Sequence, residues 1–299
     1  MLLDEQAVEN ALYSDERVRR QIEKHYGLKA DIASAVEFVQ EVVGGFNQHP
    51  SDIFRQRSNS EVFTAAVGAL ASNSRNWSTY LQHRDDLTKI LGNLDPQAAK
   101  TADLRTVAAR LPGLTSTQDA EAILAWANIL ADYESRGASY YDDVIALARH
   151  MGKRAVSQGI ELPDEQLMLC MVANLIHEPL RRWDGPTLFK LPGMGFPLGS
   201  EFFRNLGWNG FKPDRHIIRL LDGWVPSVVE QQVPTAQALA RVSGHNAAGV
   251  RTMMCYSLAG IAISPTANYS RTDNYIWLLG AYVEKKARTD KHGFGTYLK

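Results

Sequence analysis

Cysteine is scarce in this chain, which has only Cys170 and Cys255 among its 299 residues. A cluster of iron and sulfur, or a zinc site made of thiolates alone, needs four cysteines, so both kinds of site are excluded. The two cysteines lie far apart, and each falls within an apolar helical pattern. We therefore expect two buried free thiols, as is typical of a protein in a reducing cytosol.

Long apolar runs and an excess of charge are also lacking. No run of about 18 apolar residues is present, so the sequence predicts no transmembrane helix and no membrane partner. The segment Met1–Glu5 is acidic and has no signal-peptide pattern, so we expect a cytoplasmic protein. The formal net charge is −1, which means that any surface attracting nucleic acid must be local.

Alternating apolar and polar residues, the pattern of a half-buried strand, do not extend over any useful length. Apolar residues instead recur with the 3.6-residue period of helices, and the sequence predicts an all-α fold. One helix is predicted to begin with a capping box, Ser116-x-x-Asp119. The predicted helices include residues 4–24, 60–70, 95–111, 120–135 and 272–287.

The most informative stretch runs from Leu191 to Leu221. It begins with Leu191-Pro192-Gly193-Met194-Gly195, whose glycines permit backbone angles closed to other residues. The amides that follow, at the start of a predicted helix 196–206, would point outward at the positive end of the helix dipole. Such a turn can hold a DNA phosphate without reading sequence, although a plain corner between two helices accounts for the same residues.

A second turn, Gly207–Gly210, is followed by Asp214, which opens another apolar helical pattern. Aspartate is a preferred N-cap residue, and capping alone accounts for it. The segment 181–224, however, has seven lysine and arginine residues against four aspartate and glutamate residues. An ionised carboxylate in such a setting can stabilise the oxocarbenium-like transition state of N-glycosidic bond cleavage and can orient or deprotonate water.

These residues resemble the helix-hairpin-helix DNA glycosylase superfamily, which pairs an LPGxG-type hairpin with a later aspartate. The matching segments are Leu191–Gly195, Phe202–Trp208 and Pro213–Ile217, and the rest of the chain is only compatible with that family. The resemblance implies two helical subdomains, one of them a six-helix barrel and the other built from both chain ends. Residues 1–50 with 210–299 would form the second, residues 51–209 would form the barrel with its hairpin motif at 191–206, and the active site would lie between them.

The resemblance also implies roles for individual residues. Asp214 would be the catalytic carboxylate. The phosphate-binding group would comprise Gly193, Met194, Gly195, Lys212, Arg215 and His216, the last of which has capping and packing of its own helix as an alternative. A structural Na⁺ or K⁺ would be held by the carbonyls of Phe189, Leu191 and Met194, and no other cofactor is expected.

Enzymes that excise bases extrude the nucleotide and stack it on aromatic side chains. Trp208, in the turn between the hairpin and Asp214, is the best candidate for the base pocket. Core packing is the alternative for it, as it is for three further candidates, Trp183, Phe211 and Tyr269.

One residue differs from the family pattern, and the difference argues against a strand-cleaving step. Members that also cleave the DNA strand carry a lysine two residues after the second hairpin glycine, whereas this chain has Pro197 there. We therefore expect water as the nucleophile and no lyase step. The predicted function is a monofunctional glycosylase that acts as a monomer on double-stranded DNA, in DNA repair by base excision and, in a bacterium, at the nucleoid.

Three alternatives stay open at this point. The protein could be a non-catalytic helix-hairpin-helix DNA-binding module, for which Asp214 and its basic neighbours are unnecessary. It could be a glycosylase that acts on an enzymatically modified cytosine, such as phage DNA carries, rather than on damage. It could also be a helical scaffold unrelated to DNA.

Overall fold

The computed structural model describes residues 1–16, 19–20, 23, 50–75, 77–177, 190–284 and 296–299. These residues form fourteen α-helices, a 3₁₀ turn at Gly92–Leu94 and a π-helical turn at Leu279–Val283. The helices are α1 (Glu5–Ser14), α2 (Asn59–Ala71), α3 (Trp77–Ile90), α4 (Pro96–Ala99), α5 (Leu104–Ala108), α6 (Ser116–Ser135), α7 (Tyr140–Ser157), α8 (Asp164–Leu175), α9 (Phe196–Asn205), α10 (Arg215–Trp224), α11 (Pro226–Gln231), α12 (Val233–Ser243), α13 (Ala248–Ala262) and α14 (Tyr269–Leu278).

The predicted all-α fold is confirmed. Within the described ranges there is no strand, and the only extended pairing there is an isolated antiparallel bridge between Leu3 and Leu298. None of the described helices combines the length and the hydropathy that crossing a membrane requires.

The chain divides into two compact units. The first consists of Met1–Pro50, Asn209–Gln237 and Arg251–Lys299, and the second of Ser51–Trp208 and Ala238–Val250. These bounds differ from the sequence-based division in two respects: residues 238–250 belong to the second unit and residue 209 belongs to the first. The six-helix barrel and the active site between two domains stay predictions.

Helix α2 is largely buried, and it contacts α6, α7 and α9 within the second unit. It begins with a capping box, in which Ser58 Oγ accepts from the Glu61 amide at 3.2 Å and Glu61 Oε2 accepts from the Ser58 amide at 2.9 Å. Phe63 and Leu70 are fully buried, and four alanines of the helix are buried with them. The small side chains of these alanines let neighbouring helices approach closely. The predicted buried helix 60–70 is confirmed, and it extends one residue further at each end.

A buried ion pair joins the C-terminal end of α2 to the first turn of α6. Arg75 Nη2 lies 2.5 Å from Asp119 Oδ2, and the two side chains are 1% and 4% exposed. Arg75 Nη1 also donates to the Leu70 carbonyl at 3.0 Å, one of the acceptors that a helix C-terminus leaves without an intrahelical donor. Asp119 accepts two further hydrogen bonds, from Asn73 Nδ2 at 3.0 Å and from Thr115 Oγ1 at 2.6 Å.

The predicted capping box at Ser116 and Asp119 is therefore wrong. Asp119 accepts from the hydroxyl of Thr115 but from no backbone amide at the start of its helix, and Arg75 and Asn73 are its other partners. Ser116 Oγ donates instead to the Gly113 carbonyl at 2.5 Å, and the helix begins at Ser116 without a side-chain cap. The buried guanidinium of Arg75, which is distant in the chain, binds the carboxylate that the local sequence pattern assigns to a capping box.

Three other predicted helices have different bounds. The predicted helix 95–111 is two short helices, α4 and α5, because Asp103 starts a new helix by accepting from the Thr106 amide at 2.9 Å. The first predicted helix, 4–24, is interrupted after Ser14, where Asp15 has extended backbone angles. The last, 272–287, begins earlier, at Tyr269, and changes to the π-helical turn after Leu278, and its final residues lie outside the described ranges.

In the first unit, helix α14 contacts both α1 and α10. Polar contacts reinforce its packing on α1: Tyr275 donates to the carboxylate of Glu9, and Arg271 Nη2 lies 3.1 Å from Glu5 Oε2. Burial is the largest of the causes that raise the pKa of Tyr275, followed by its hydrogen bond to Glu9. The tyrosine is therefore a neutral donor at neutral pH.

The two cysteines are free and buried, as predicted. Cys170 Sγ donates to the Leu239 carbonyl at 3.5 Å. Burial raises the pKa of Cys170 to about 12 and also raises that of Cys255. Both thiols are therefore protonated at neutral pH, and neither is a nucleophile.

The ion pair of Arg75 leads to a prediction about stability. Replacing Asp119 with alanine should lower the free energy of unfolding by about 3–5 kcal/mol, because Arg75 would keep a buried charge without its counter-ion. The matched control is Asp132→Ala, which removes a partner of Arg136 in a pair whose side chains are 63% and 55% exposed. That change should cost about 0–1 kcal/mol. Urea unfolding measures both, and equal losses in the two variants would contradict the structural role of the buried pair.

Candidate active site

The hairpin begins with a tight turn over residues 191–194. The Met194 amide donates to the Leu191 carbonyl at 3.1 Å, and Gly193 has a φ of +73°. Proline at the first central position and a positive φ at the second are the features of a type II β-turn. The dipeptide Pro192-Gly193 supplies both, so this turn follows from the local sequence.

The turn is seated on α2 and α6. Trp126 Nε1, on α6, donates to the Pro192 carbonyl at 3.2 Å. A Cβ added to Gly193 would lie 2.5 Å from Cβ of Ala122 on α6 and 3.2 Å from a methyl carbon of Leu70 on α2. Glycine is therefore required at position 193 both by the backbone angle and by the close approach of these helices.

Gly195 differs from Gly193, because its backbone is in the extended region and a Cβ there would meet nothing within 4 Å. It is the N-cap of α9, its carbonyl accepts from the Gly199 amide at 2.9 Å, and no side chain caps the helix. The first amides of a helix have no intrahelical acceptor, although Pro197 has no amide hydrogen to offer. An exposed glycine beside these amides is the arrangement that a phosphate site needs, and phosphate binding at Gly193, Met194 and Gly195 stays a prediction.

The predicted cation at the hairpin also stays a prediction. Of its three carbonyls, that of Leu191 already accepts the turn-closing bond from the Met194 amide. Phe189 lies outside the described residues. Within those residues, no group of three or more His, Cys, Asp or Glu side chains could hold a metal ion.

Asp214 is carried by a loop, residues 209–214, that is anchored to the first turn of α14. Asn209 Oδ1 accepts from the amides of Tyr269 and Ser270 at 2.8 and 3.2 Å. The Gly210 amide donates to Ser270 Oγ at 3.2 Å. The start of the loop is thus held by hydrogen bonds that also cap α14.

The end of the same loop is held by a buried carboxylate, Asp273, which is 1% exposed. Asp273 Oδ1 accepts from the Lys212 amide at 2.8 Å, two residues before Asp214. Asp273 was not among the residues predicted from the sequence. The signal that could have identified it is its position three residues before Ile276, on the face of the helix that is buried. A carboxylate on a buried face needs hydrogen-bond donors, and it orients the segment that supplies them.

Asp214 is the N-cap of α10. Its Oδ1 accepts from the amides of His216 and Ile217 at 2.8 and 3.1 Å, so the capping interpretation is confirmed. The residue is half-buried, and its other oxygen, Oδ2, has no hydrogen bond or ion pair to the residues that the structure describes. One oxygen therefore orients the carboxylate while the other is left for a further partner.

His216 contacts Asp214 through its backbone amide and Trp277 through its ring. Its ring meets that of Trp277 edge to face, with centroids 6.3 Å apart and planes at 83°. Burial lowers the pKa of His216, the charge of Asp214 opposes that shift, and the charges of Arg215 and Arg219 add to it. The imidazole is therefore largely neutral at neutral pH, and a phosphate contact from it stays a prediction.

The basic residues around Asp214 are not equivalent. Arg219 Nη2 donates to the carbonyls of Gly280 and Glu284 at 2.8 and 3.0 Å, so it supports the π-helical turn. Arg215 is exposed and Lys212 is half-buried. Their contact with a DNA phosphate stays a prediction, and Arg215 has the more accessible position for it.

Among the aromatic candidates, Trp208 is 2% exposed and belongs to the core of the second unit. Phe211 is fully buried, and a side chain added to Gly260 would collide with its ring. Both placements fit the packing alternative, and the assignment of Trp208 to a base pocket stays a prediction. Trp183 lies outside the described residues. The half-buried Trp277, which the sequence analysis did not select, is in contact with a neighbour of Asp214.

The hairpin belongs to the second unit and the loop with Asp214 to the first. Within the first unit, Asp214, His216 and Trp277 lie next to one another. Comparisons with protein-family models, curated proteins and solved structures found no match to this chain. Function is therefore inferred from the residues themselves.

The two hairpin glycines should respond differently to alanine. Gly193→Ala is expected to lower the free energy of unfolding by about 2–4 kcal/mol, because a positive φ and a clash with Ala122 act together. Gly195→Ala should change it by less than about 0.5 kcal/mol, since its Cβ enters open space. Urea unfolding of both variants measures the difference. A stable Gly193→Ala variant would contradict the seating of the turn on α2 and α6.

The environment of His216 gives a prediction about pH. Its folded pKa lies below the ordinary value of 6.5, so the unfolded chain binds more protons as the pH falls. Any stability linked to His216 is thus present above pH 6.5 and is lost as the pH falls toward the folded pKa. An NMR titration of the imidazole, assigned with a His216→Gln variant, should have its midpoint below 6.5. A midpoint at or above that value would show that the ring is not desolvated.

Proposed function

We propose that this protein is a DNA glycosylase that hydrolyses the N-glycosidic bond of a damaged or modified base extruded from duplex DNA. In this proposal Asp214 is the catalytic carboxylate and the hairpin 191–195 binds a phosphate. The observation that carries the proposal is that the two carboxylate oxygens of Asp214 differ in their hydrogen bonding. Two backbone amides fix Oδ1, while Oδ2 has no partner among the described residues.

This division suits the chemistry of the bond. As the base departs with the bonding electrons, positive charge develops on the sugar ring, and a fixed carboxylate nearby stabilises it. Oδ2 can also orient a water molecule toward the anomeric carbon and accept its proton as the new bond to oxygen forms. Because Oδ1 is already oriented by the start of α10, the carboxylate does not lose much side-chain freedom when the substrate binds.

The residue at position 197, in the helix that follows the hairpin, favours a reaction that leaves the DNA strand uncut. Pro197 stands in the first turn of α9, where a lyase of this type would carry an amine. Lys190 is exposed at the start of the hairpin and Lys212 is half-buried in the loop, but neither matches the position of the family's nucleophile. We therefore propose that water is the nucleophile, and that the products are a free base and an abasic site.

The excised base is either a damaged base or a base that an enzyme has modified. A cationic alkylated base is a good leaving group and needs chiefly stacking, whereas a neutral base needs specific hydrogen bonds. Trp277, beside His216, is the aromatic side chain that we add to Trp208 as a candidate for stacking.

The test compares wild-type protein with Asp214→Asn. Asparagine caps helices about as well as aspartate, so the variant should keep its fold and its affinity for DNA. Turnover should fall by about 10²–10⁴-fold, because the charge on the reacting side is lost. The substrates are duplexes with an alkylated purine, an oxidised purine, uracil, mismatched thymine or an enzymatically modified cytosine. Mass spectrometry identifies released bases, and an alkali step separates glycosylase from lyase activity.

The matched control is Asp103→Asn, the same change at another helix cap, where Asp103 accepts from the Thr106 amide at 2.9 Å. It should leave turnover unchanged. Equal turnover in Asp214→Asn and wild type would refute the role of Asp214. Salt-sensitive binding without release of any base from any duplex would favour the non-catalytic DNA-binding module. Absence of DNA binding at low salt would favour the unrelated helical scaffold.

A further inference from the structure

The second unit contains a cavity of about 490 Å³ that includes no residue of the hairpin 191–195. Its lining comes from one face of α2, one face of α3 and the end of α9, together with the segment before α2. On α3, Tyr80, Arg84 and Leu87 contribute at the spacing of a single helix face. The volume falls in the range of small-molecule sites, about 300–1,000 Å³.

Three arginines but only two glutamates line this cavity: Arg55, Arg57, Arg84, Glu61 and Glu201. Glu61 is shared, because it lies 2.6 Å from Arg55 and 3.9 Å from Arg57. Glu201 pairs at 2.8 Å with Arg204, which is not part of the lining. The lining therefore has an excess of positive charge.

Arg84 has the most exposed side chain of the three arginines. Its Nε lies 3.4 Å from Asp85 Oδ1, and both side chains are more than half exposed, 56% and 82%. Exposed pairs of this kind contribute little, so a ligand can recruit the guanidinium without breaking a strong interaction.

Arg57 contributes a cation that is already fixed in place. It is 6% exposed, and its Nη2 donates to the Asp52 carbonyl at 3.2 Å and to the Leu206 carbonyl. The guanidinium carbon also lies 5.4 Å from the ring centroid of Tyr141. A cation held in this way loses little side-chain entropy when an anion binds, which favours affinity.

The remainder of the lining is largely apolar. Val67, Leu87 and Leu94 face the cavity, and Tyr80 adds a ring that is 6% exposed. A charged strand of nucleic acid would need an extended basic surface, whereas this site combines a concave apolar wall with cations on part of its edge.

We propose that this cavity binds a small organic anion, with one phosphate or carboxylate group that meets Arg84 and Arg57 and an apolar body that packs on Val67, Leu87 and Tyr80. The two head groups share the same chemistry, a compact anion that pairs with guanidinium. The site does not depend on the hairpin or on Asp214. It would stand if the proposed glycosylase activity were absent.

Calorimetric titration of the full chain with phenyl phosphate and with phenylacetate tests this proposal. At least one of them should bind, and the tighter of the two identifies the preferred head group. Phenol and inorganic phosphate each lack one half of the recognised chemistry. They should bind at least about tenfold more weakly than the tighter probe.

Two variants test whether the probe binds in the cavity. Arg84→Ala should weaken binding by about tenfold or more, because it removes a charged hydrogen-bond donor. Thr64→Trp, on the exposed edge of the cavity lining, should block binding by filling the space without changing any charge. Arg136→Ala removes an exposed arginine of the same unit outside the cavity and should leave binding unchanged.

Absence of binding by both probes at up to about 10 mM would overturn the proposal. So would equal affinity for phenyl phosphate and inorganic phosphate when phenylacetate does not bind, or binding that persists unchanged in both Arg84→Ala and Thr64→Trp. Arg84 and Thr64 are both exposed, so these variants should fold, and circular dichroism confirms this before titration. Assays of base release with the same variants report on the glycosylase proposal separately.

Discussion

The position of the hairpin depends on the buried pair of Arg75 and Asp119. This pair ties the end of α2 to the first turn of α6, and the backbone of Gly193 rests on side chains of these two helices. The indole of Trp126, two turns further along α6, then holds the Pro192 carbonyl. The position of the exposed edge of the turn is therefore determined by charges and side chains that lie in the core beneath it.

The loop with Asp214 is held by a different kind of interaction. Here buried or half-buried polar side chains, Asn209 and Asp273, bind backbone amides of residues about sixty positions away in the chain. The carboxylate of Asp214 adds a local constraint by capping its own helix. Hydrogen bonds have direction, whereas apolar packing does not, so this arrangement fixes the orientation of the loop as well as its location.

Local patterns in the sequence were sufficient for the helical class, for buried α2, for the turn at Pro192-Gly193 and for the cap at Asp214. Each depends on contacts within a few residues or on a simple apolar period. One failure is local, because Asp103 starts a new helix inside the predicted helix 95–111. Another involves a partner far away in the chain. Asp119 could not be separated from a capping residue without knowledge of Arg75. The arginine-lined cavity, assembled from three helices and a preceding segment, leaves no single pattern to find.

The two inert thiols give the chain a practical property. Because Cys170 and Cys255 are buried and protonated, neither competes well for a maleimide or a spin label at neutral pH. A cysteine introduced in place of Gly195 would stand in open space at the hairpin. The unmodified background would then allow a fluorophore or a nitroxide to report from that single position, in the native chain and without prior removal of either natural cysteine.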